Sequence, residues 1–304
     1  MTATTAETRT DWGPLAEPVH PDAAGPGDPI WKDNAYLAFW DLDGEVFGSF
    51  HVSTSPNAPG GLRARCSLRY AGGEVEIIEE LDRGSFAGPT ITFGLDGTLT
   101  VDHPALTARF VATPLHTPAD YSETGLIPEL VPGRPLRHFQ QGCRITGGFT
   151  HGGTTREIDG SGLRDRTWGF RDEAAMWIEY AALVGIFDDP TSEDTVFVSA
   201  MKFLAADGSQ AADGFLIDAT GSHPVRDLAL RRTAAAQFLR GTVTLADGSV
   251  RVISMRSREA GFFVPMGAET DGPAFGCYDD FMALDLDGAP GGGFLEQGIV
   301  HRVC

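Results

Sequence analysis

A chain of 304 residues with 42% hydrophobic and 10% aromatic residues has enough apolar material for one large core or two ordinary ones, which excludes a disordered chain. Its formal net charge of −19 repels nucleic acid and anionic membrane surfaces, so neither is an expected partner. That charge leaves a neutral or apolar small molecule open as a partner.

Residues 1–27 read as an N-terminal extension. The opening "MTATTAETRTDWG" has neither the basic start nor the apolar run of a secretory signal. No stretch approaches the ~20 apolar residues of a membrane span, so a soluble, cytoplasmic protein is expected. From residue 28 onward, helical periodicity is nearly absent. Short β-branched and aromatic runs alternate with Gly, Asp and Pro, the pattern of many antiparallel strands. "AYLAFWDLDGEVFGSFHV" (35–52) predicts a hairpin, and "GTVTLADGSVRVISM" (241–255) predicts another. Asp-Gly pairs at 43–44, 96–97, 207–208, 247–248 and 287–288 supply the positive φ angles of tight turns. These pairs lack the ligand run and closing Glu of a calcium loop, so they are read as turns.

The proline-rich stretch 113–135, "TPLHTPADYSETGLIPELVPGRP", is expected to hold a short helix or to cross as a lid. The flanks on either side each carry strands enough for a barrel or sandwich. The predicted division is therefore a β domain over 28–150 and a second over 151–304. Cys66, Cys143, Cys277 and Cys304 are scattered, with no paired spacing, and read as reduced or buried thiols. No metal site is expected from them.

The segment "GSGLRDRTWGFRDE" (160–173) concentrates three arginines, three acids and a tryptophan. On a strand, side chains alternate. Arg164, Arg166 and Trp168 then share one face, and Asp165 and Thr167 the other. Two readings stand side by side. Asp165 is a general acid beside an aromatic wall, or the cluster is a buried Arg–Asp joint tying two β units together. In the next predicted strand, "AAMWIEYAALVGIF" (174–187), Glu179 lies in an apolar run, where burial raises a carboxyl pKa. Glu179 is therefore a second candidate acid, unless it meets solvent or one of the motif's arginines. His51, His138 and His301 lie in or beside strands, with His138 in the piece "RHFQQG". Trp31, Tyr36, Phe39 and Trp40 form an aromatic cluster that is mostly core, with one or two pocket-lining members. No nucleophile elbow, phosphate loop or dinucleotide fingerprint occurs, so no nucleotide cofactor is implied and none is expected.

The segment 160–172 resembles the Gly-x-Gly-x-Arg-Asp-x-x-Trp-Gly-x-Arg motif of a two-domain lipocalin-like family related to carotenoid 1,2-hydratase and the AttH-like proteins. "NAYLAFWDLDG", "RHFQQGCRITGGFTHGG" and "GGGFLEQGIVHR" also sit where that family carries similar pieces. Arg166-Thr167 stands where those relatives carry His-Ser, which replaces a group titrating near neutrality by a permanent charge.

The resemblance implies an all-β fold of two lipocalin-like barrels or sandwiches packed together. It also implies a pocket for an isoprenoid- or polyene-like molecule, and hydration, dehydration, cyclisation or isomerisation without a cofactor. The expected catalytic residues are Asp165, Glu179 and Trp168. The expected substrate-binding residues are Trp177, Trp31, Tyr36, Trp40, His138, Arg164 and Arg171. A non-catalytic lipid or pigment carrier is the alternative.

Overall fold

The computed structural model describes residues 11–122, 124–172, 177–189, 194–264 and 271–303. All five Asp-Gly pairs fall in turns between strands, and Gly97, Gly208, Gly248 and Gly288 have φ between 85° and 98°. Those turns join strands into two antiparallel assemblies.

The first is a ten-stranded sheet: β1 (Trp31–Asp41), β2 (Val46–Thr54), β3 (Arg63–Tyr70), β4 (Gly73–Glu80), β5 (Ile91–Phe93), β6 (Thr98–His103), β7 (Leu106–Pro114), β8 (Ala119–Asp120), β9 (Arg137–His151) and β10 (Thr154–Phe170). The strands run β4-β3-β2-β1-β10-β9-β7-β6-β5, with β8 on β9. The outermost strands, β4 and β5, are tied by a side chain. The Glu79 carboxylate accepts from the backbone N–H of Thr90 and of Ile91.

The second is a closed barrel of β11 (Trp177–Asp188), β12 (Thr195–Ala205), β13 (Gln210–Asp218), β14 (Gly221–Arg232), β15 (Phe238–Leu245), β16 (Val250–Val264), β17 (Ala274–Leu286) and β18 (Ala289–His301). Among the described residues no helix is long and apolar enough to cross a membrane.

The predicted division at 150/151 is corrected by the pairing. It cuts the β9–β10 hairpin, which is registered from His151↔Thr154 to Arg137↔Trp168, and β10 also pairs along β1. Gly152 and Gly153, both at positive φ, make a tight turn there and not a linker. The chain passes to the barrel between Phe170 and Trp177.

Residues 11–27, within the N-terminal extension, are anchored to the first sheet. Leu15 is fully buried, and Trp12 donates its indole N–H to the Asp96 carbonyl. The stretch 113–135 forms no helix among its described residues. It crosses as a strap that contributes β8 and buries Tyr121 and Leu126. Glu173 and residues 174–176, the start of the predicted strand, lie outside the described residues, as does Cys304.

Period-two alternation builds three apolar layers from single strands. On β1, Ala35, Leu37 and Phe39 enter the core of the first sheet, while Tyr36, Ala38 and Trp40 face outward. On β11, Ala181, Leu183 and Phe187 fill the barrel, while Tyr180, Ala182, Val184 and Ile186 face outward. The two outward sets meet with Phe281 and Phe294 in a third layer between the assemblies. Tyr36, Tyr180, Met201 and Phe203 of this third layer also border an open cleft at the seam.

Candidate functional site

The seam opens into a cleft of about 660 Å³, mouth included. Its apolar wall is aromatic. Trp177 meets Tyr180 and Phe203 edge-on at 6.0 and 5.5 Å, and Tyr180 stacks on Phe203 at 5.1 Å. Met201, Val264, Ile127 and Leu136 complete it, the last two from the proline-rich strap and its exit. Trp177 and Tyr180 are three residues apart, a spacing that plain alternation puts on opposite faces. A register shift between Trp177 and Glu179 resolves this and brings both rings to the cleft.

Two polar groups of side chains reach this cleft, the first through Glu296 and Tyr36 while Asp279 itself is fully buried. The first comes from the barrel. Asp279 on β17 and Glu296 on β18 are directly registered partners. One oxygen of each, with Cys277 Sγ, lies within 4.8 Å of the others. Tyr36, reaching from β1, donates its hydroxyl to Asp279, and Tyr180 donates to Glu296. Burial pushes the Asp279 carboxyl well above the usual carboxylate range, with the neighbouring Glu296 charge adding to it. Arg65, itself 1% exposed, offsets part of that rise. Burial raises Glu296 too, and the Asp165 charge adds to it. Asp279 Oδ1 meets no donor among the described residues while both acids are ionised. A proton held between the two carboxyls supplies one and removes the repulsion of two adjacent anions.

The second group comes from β9 and β10. Asp165 and Thr167 share the cleft-facing side of β10, as alternation predicts. Thr167 Oγ1 donates to Asp165 Oδ1 at 3.2 Å, and Gln140 Nε2 donates to Asp165 Oδ2 at 3.0 Å. The Thr167 hydroxyl, having donated its proton, accepts from His138 Nδ1 at 2.6 Å. That chain assigns the proton to Nδ1 and leaves the lone pair of His138 on Nε2, 3.5 Å from Asp165 Oδ2. Burial lowers the His138 pKa, with Asp165 opposing the shift and Arg171 adding to it. The ring is therefore neutral at neutral pH, and a proton arriving at Nε2 is stabilised by Asp165.

Of the residues singled out from sequence, Asp165, Tyr36, His138, Arg171 and Trp177 line the cleft, and His51 joins them. The others are corrected in place. Arg164 and Arg166 turn to the far face of β10. Arg164 donates to the carbonyls of Leu15 and Leu95, and Arg166 forms a buried ion pair with Asp33 at 2.7 Å. Trp168 lies on that same far face, stacked on His20 at 5.1 Å and packed with Phe139 and Leu15. The motif thus clamps the segment 11–20, and Trp168 forms no wall for Asp165.

Trp31 packs edge-on against Phe170 at 5.2 Å, beside that cluster. Trp40 is spent in the seam core against Phe281 and Phe294. Glu179 lines a separate groove with Lys202, Leu204 and Arg232 on the other side of β11. His301 is exposed. Asp279 and Glu296 escaped the sequence reading, although a lone acid between Cys277 and Phe281 at period two carries the same signal that drew attention to Glu179.

Cys66, Cys143 and Cys277 are buried free thiols. Cys277, Asp279 and Glu296 present three ligand atoms in metal-binding proximity. Burial also raises the Cys277 thiol well above its ordinary value, so a cation has to displace protons from all three groups as well as the two tyrosine hydroxyls. A proton-sharing pair fits these donors better than a metal.

Two lipocalin-like β units with an acid-bearing aromatic cleft at their seam define the class of protein. The chain belongs to the family described as "Domain of unknown function (DUF7064)", whose match spans residues 16–299. Among solved structures it is similar to an AttH-like protein from Nitrosomonas europaea, at 15% identity and a TM-score of 0.62, covering 94% of this chain and 100% of that one. It is also similar to kievitone hydratase from Nectria haematococca (12%, TM-score 0.58, 99% and 96% covered). A third is CghA bound to Sch210972 (13%, TM-score 0.57, 90% and 89% covered). At these identities the likeness shows the shared fold. No curated protein matches the sequence.

Proposed function

We propose that the chain is an enzyme that binds a hydrophobic, unsaturated small molecule, isoprenoid- or polyene-like, at the seam. Its chemistry is acid–base hydration or dehydration, cyclisation or isomerisation. The observation that carries this reading is Glu296 on the wall of the same cleft as His138 and Asp165, with Asp279 fully buried and paired with Glu296 across β17 and β18, where burial raises both carboxyls.

In the forward direction the pair delivers its proton to an alkene carbon. The cationic charge that develops lies beside the aromatic wall of Trp177, Tyr180 and Phe203. His138 Nε2 then takes a proton, either from the water that adds or from the carbon that restores a double bond. One proton leaves the pair and one arrives on His138, and exchange with solvent resets both. Tyr36 and Tyr180, whose hydroxyls burial holds protonated, stabilise the carboxylate left behind.

The shared fold with a hydratase supports this reading. A carrier needs no buried carboxyl pair behind its cavity wall, and burying one is costly, so Glu296 on the wall with Asp279 beside it favours catalysis.

The test is a panel of terpenes, polyenes and carotenoid precursors incubated in deuterated water, with product deuterium read by mass spectrometry. Deuterium is expected in product with the wild-type protein and lost with Asp279→Asn. Incorporation that survives in both Asp279→Asn and Glu296→Gln overturns the assignment, and binding without turnover across the panel returns the carrier.

A further inference from the structure

Resting on that reading, we infer that the substrate carries a carbonyl or comparable oxygen acceptor, held by the indole N–H of Trp177, and is not a bare hydrocarbon. Trp177 is 2% exposed and lines the cleft, yet its Nε1 finds no acceptor among the described residues. Around it stand Tyr180, Phe203 and Phe275, each crossing the indole nearly at right angles, at 78° to 85°. Ring faces are weak acceptors, so the N–H keeps most of its hydrogen-bonding capacity. A buried donor calls for a partner, and of the two indole N–H groups left unmatched among the described residues, Trp31 and Trp177, the one on a cleft-lining side chain is that of Trp177.

A second observation gives the polarity of that partner. The Arg171 guanidinium lies over the Trp177 ring at 5.8 Å and also lines the cleft. A guanidinium over the same indole makes the field around the N–H positive, which favours an oxygen bearing partial or full negative charge, as in a ketone, an aldehyde or an enolate. Glu296, Tyr36, His138, Gln140, Asp165 and Thr167 also bring polar atoms to this wall, and each is already hydrogen-bonded to another side chain there. Trp177 is left as the residue that discriminates by binding. A site built around such a donor rejects the analogue lacking the acceptor, because the N–H is then buried unpaired.

Matched pairs test this: limonene against carvone, and farnesene against farnesal, titrated calorimetrically into the full-length protein and into Trp177→Phe, which keeps an aromatic ring and loses the N–H. The wild-type protein is expected to bind each carbonyl compound at least about tenfold more tightly than its hydrocarbon. In Trp177→Phe that ratio falls below about threefold, the loss from the smaller ring being common to both members of a pair.

Equal affinities within both wild-type pairs, no binding of either carbonyl compound, or a ratio unchanged in Trp177→Phe overturns the inference. The acid–base reading fails separately. Asp279→Asn is expected to keep the binding ratio while losing deuterium incorporation. Incorporation surviving in both Asp279→Asn and Glu296→Gln sinks the acid and leaves the Trp177 result standing.

Discussion

Asp279 and Glu296 face each other across adjacent strands of the barrel, and each receives a hydroxyl from a tyrosine of a different assembly: Tyr36 from the first sheet, Tyr180 from the barrel. The acid pair therefore exists as a site only when the two assemblies are docked. Replacing Asp279 by Asn keeps its shape and removes the shared proton. Deuterium incorporation is expected to fall by about a hundredfold or more, measured under single-turnover conditions, while near-ultraviolet circular dichroism stays that of the wild type.

The same pair fixes a sign for stability against pH. Both carboxyls are raised in the folded state, so between the unfolded value near 4 and the folded values the native chain binds more protons than the unfolded one. Stability from this source is complete below about pH 4 and is lost as pH rises through the folded values. Urea melts of wild type and Asp279→Asn are expected to diverge across that window, the wild type losing more stability with rising pH. Parallel curves place the pair's protons elsewhere.

His138 has the opposite sign. Its lowered pKa means that the folded chain binds fewer protons than the unfolded one below about pH 6.5, so this contribution is lost as pH falls through the folded value. In the pH profile of turnover, the acidic limb is expected below the ordinary histidine value. Asp165→Asn moves that limb lower still, because the Asp165 charge favours the imidazolium. Thr167→Val removes the relay between them and is expected to cost less activity than His138→Phe, with a shifted limb that a merely structural role does not produce.

The arginine-rich motif is expected to act on stability. Arg166 and Asp33 are both essentially unexposed and bonded to each other, and Arg166 also holds the Glu17 carbonyl. Arg166→Met leaves the Asp33 carboxylate buried without its main cation, at a cost of about 3–5 kcal/mol, to be read by chemical denaturation. Glu179→Gln, on the far side of β11, is expected to change neither stability nor turnover beyond about twofold.

Fold and site were legible to different depths. Antiparallel strands, the Asp-Gly turns and the opposite facing of Arg164/Arg166/Trp168 against Asp165/Thr167 follow from period two, a local property of the chain. The place of the division did not follow, because Gly152-Gly153 reads equally as a linker or a hairpin turn until β10 is seen pairing with β1. Glu179 was favoured because it is an acid among apolar neighbours in sequence. The bulge at Trp177 decides which face meets the cleft, and no sequence period announces a bulge. Asp279, Glu296 and Tyr36 converge from three strands more than two hundred residues apart at the extremes, a contact that only the docking of the two assemblies creates.

Gly298 offers a last test of that convergence. It pairs with Tyr180 across β11 and β18. A Cβ there runs into the Tyr180 ring and meets Phe275 Cζ at 2.6 Å. Tyr180 cannot slide away, because Phe203 stacks on it at 5.1 Å and Phe275 at 5.8 Å. Gly298→Ala must therefore tilt the ring and draw its hydroxyl off Glu296. The expected outcome is a stability loss of about 1–3 kcal/mol together with reduced deuterium incorporation. Gly298→Ala/Tyr180→Phe is expected to be no less active than Gly298→Ala alone, since the hydroxyl is already disengaged. A further drop on adding Tyr180→Phe means that the ring held its place, and that the glycine serves only the packing of the strand.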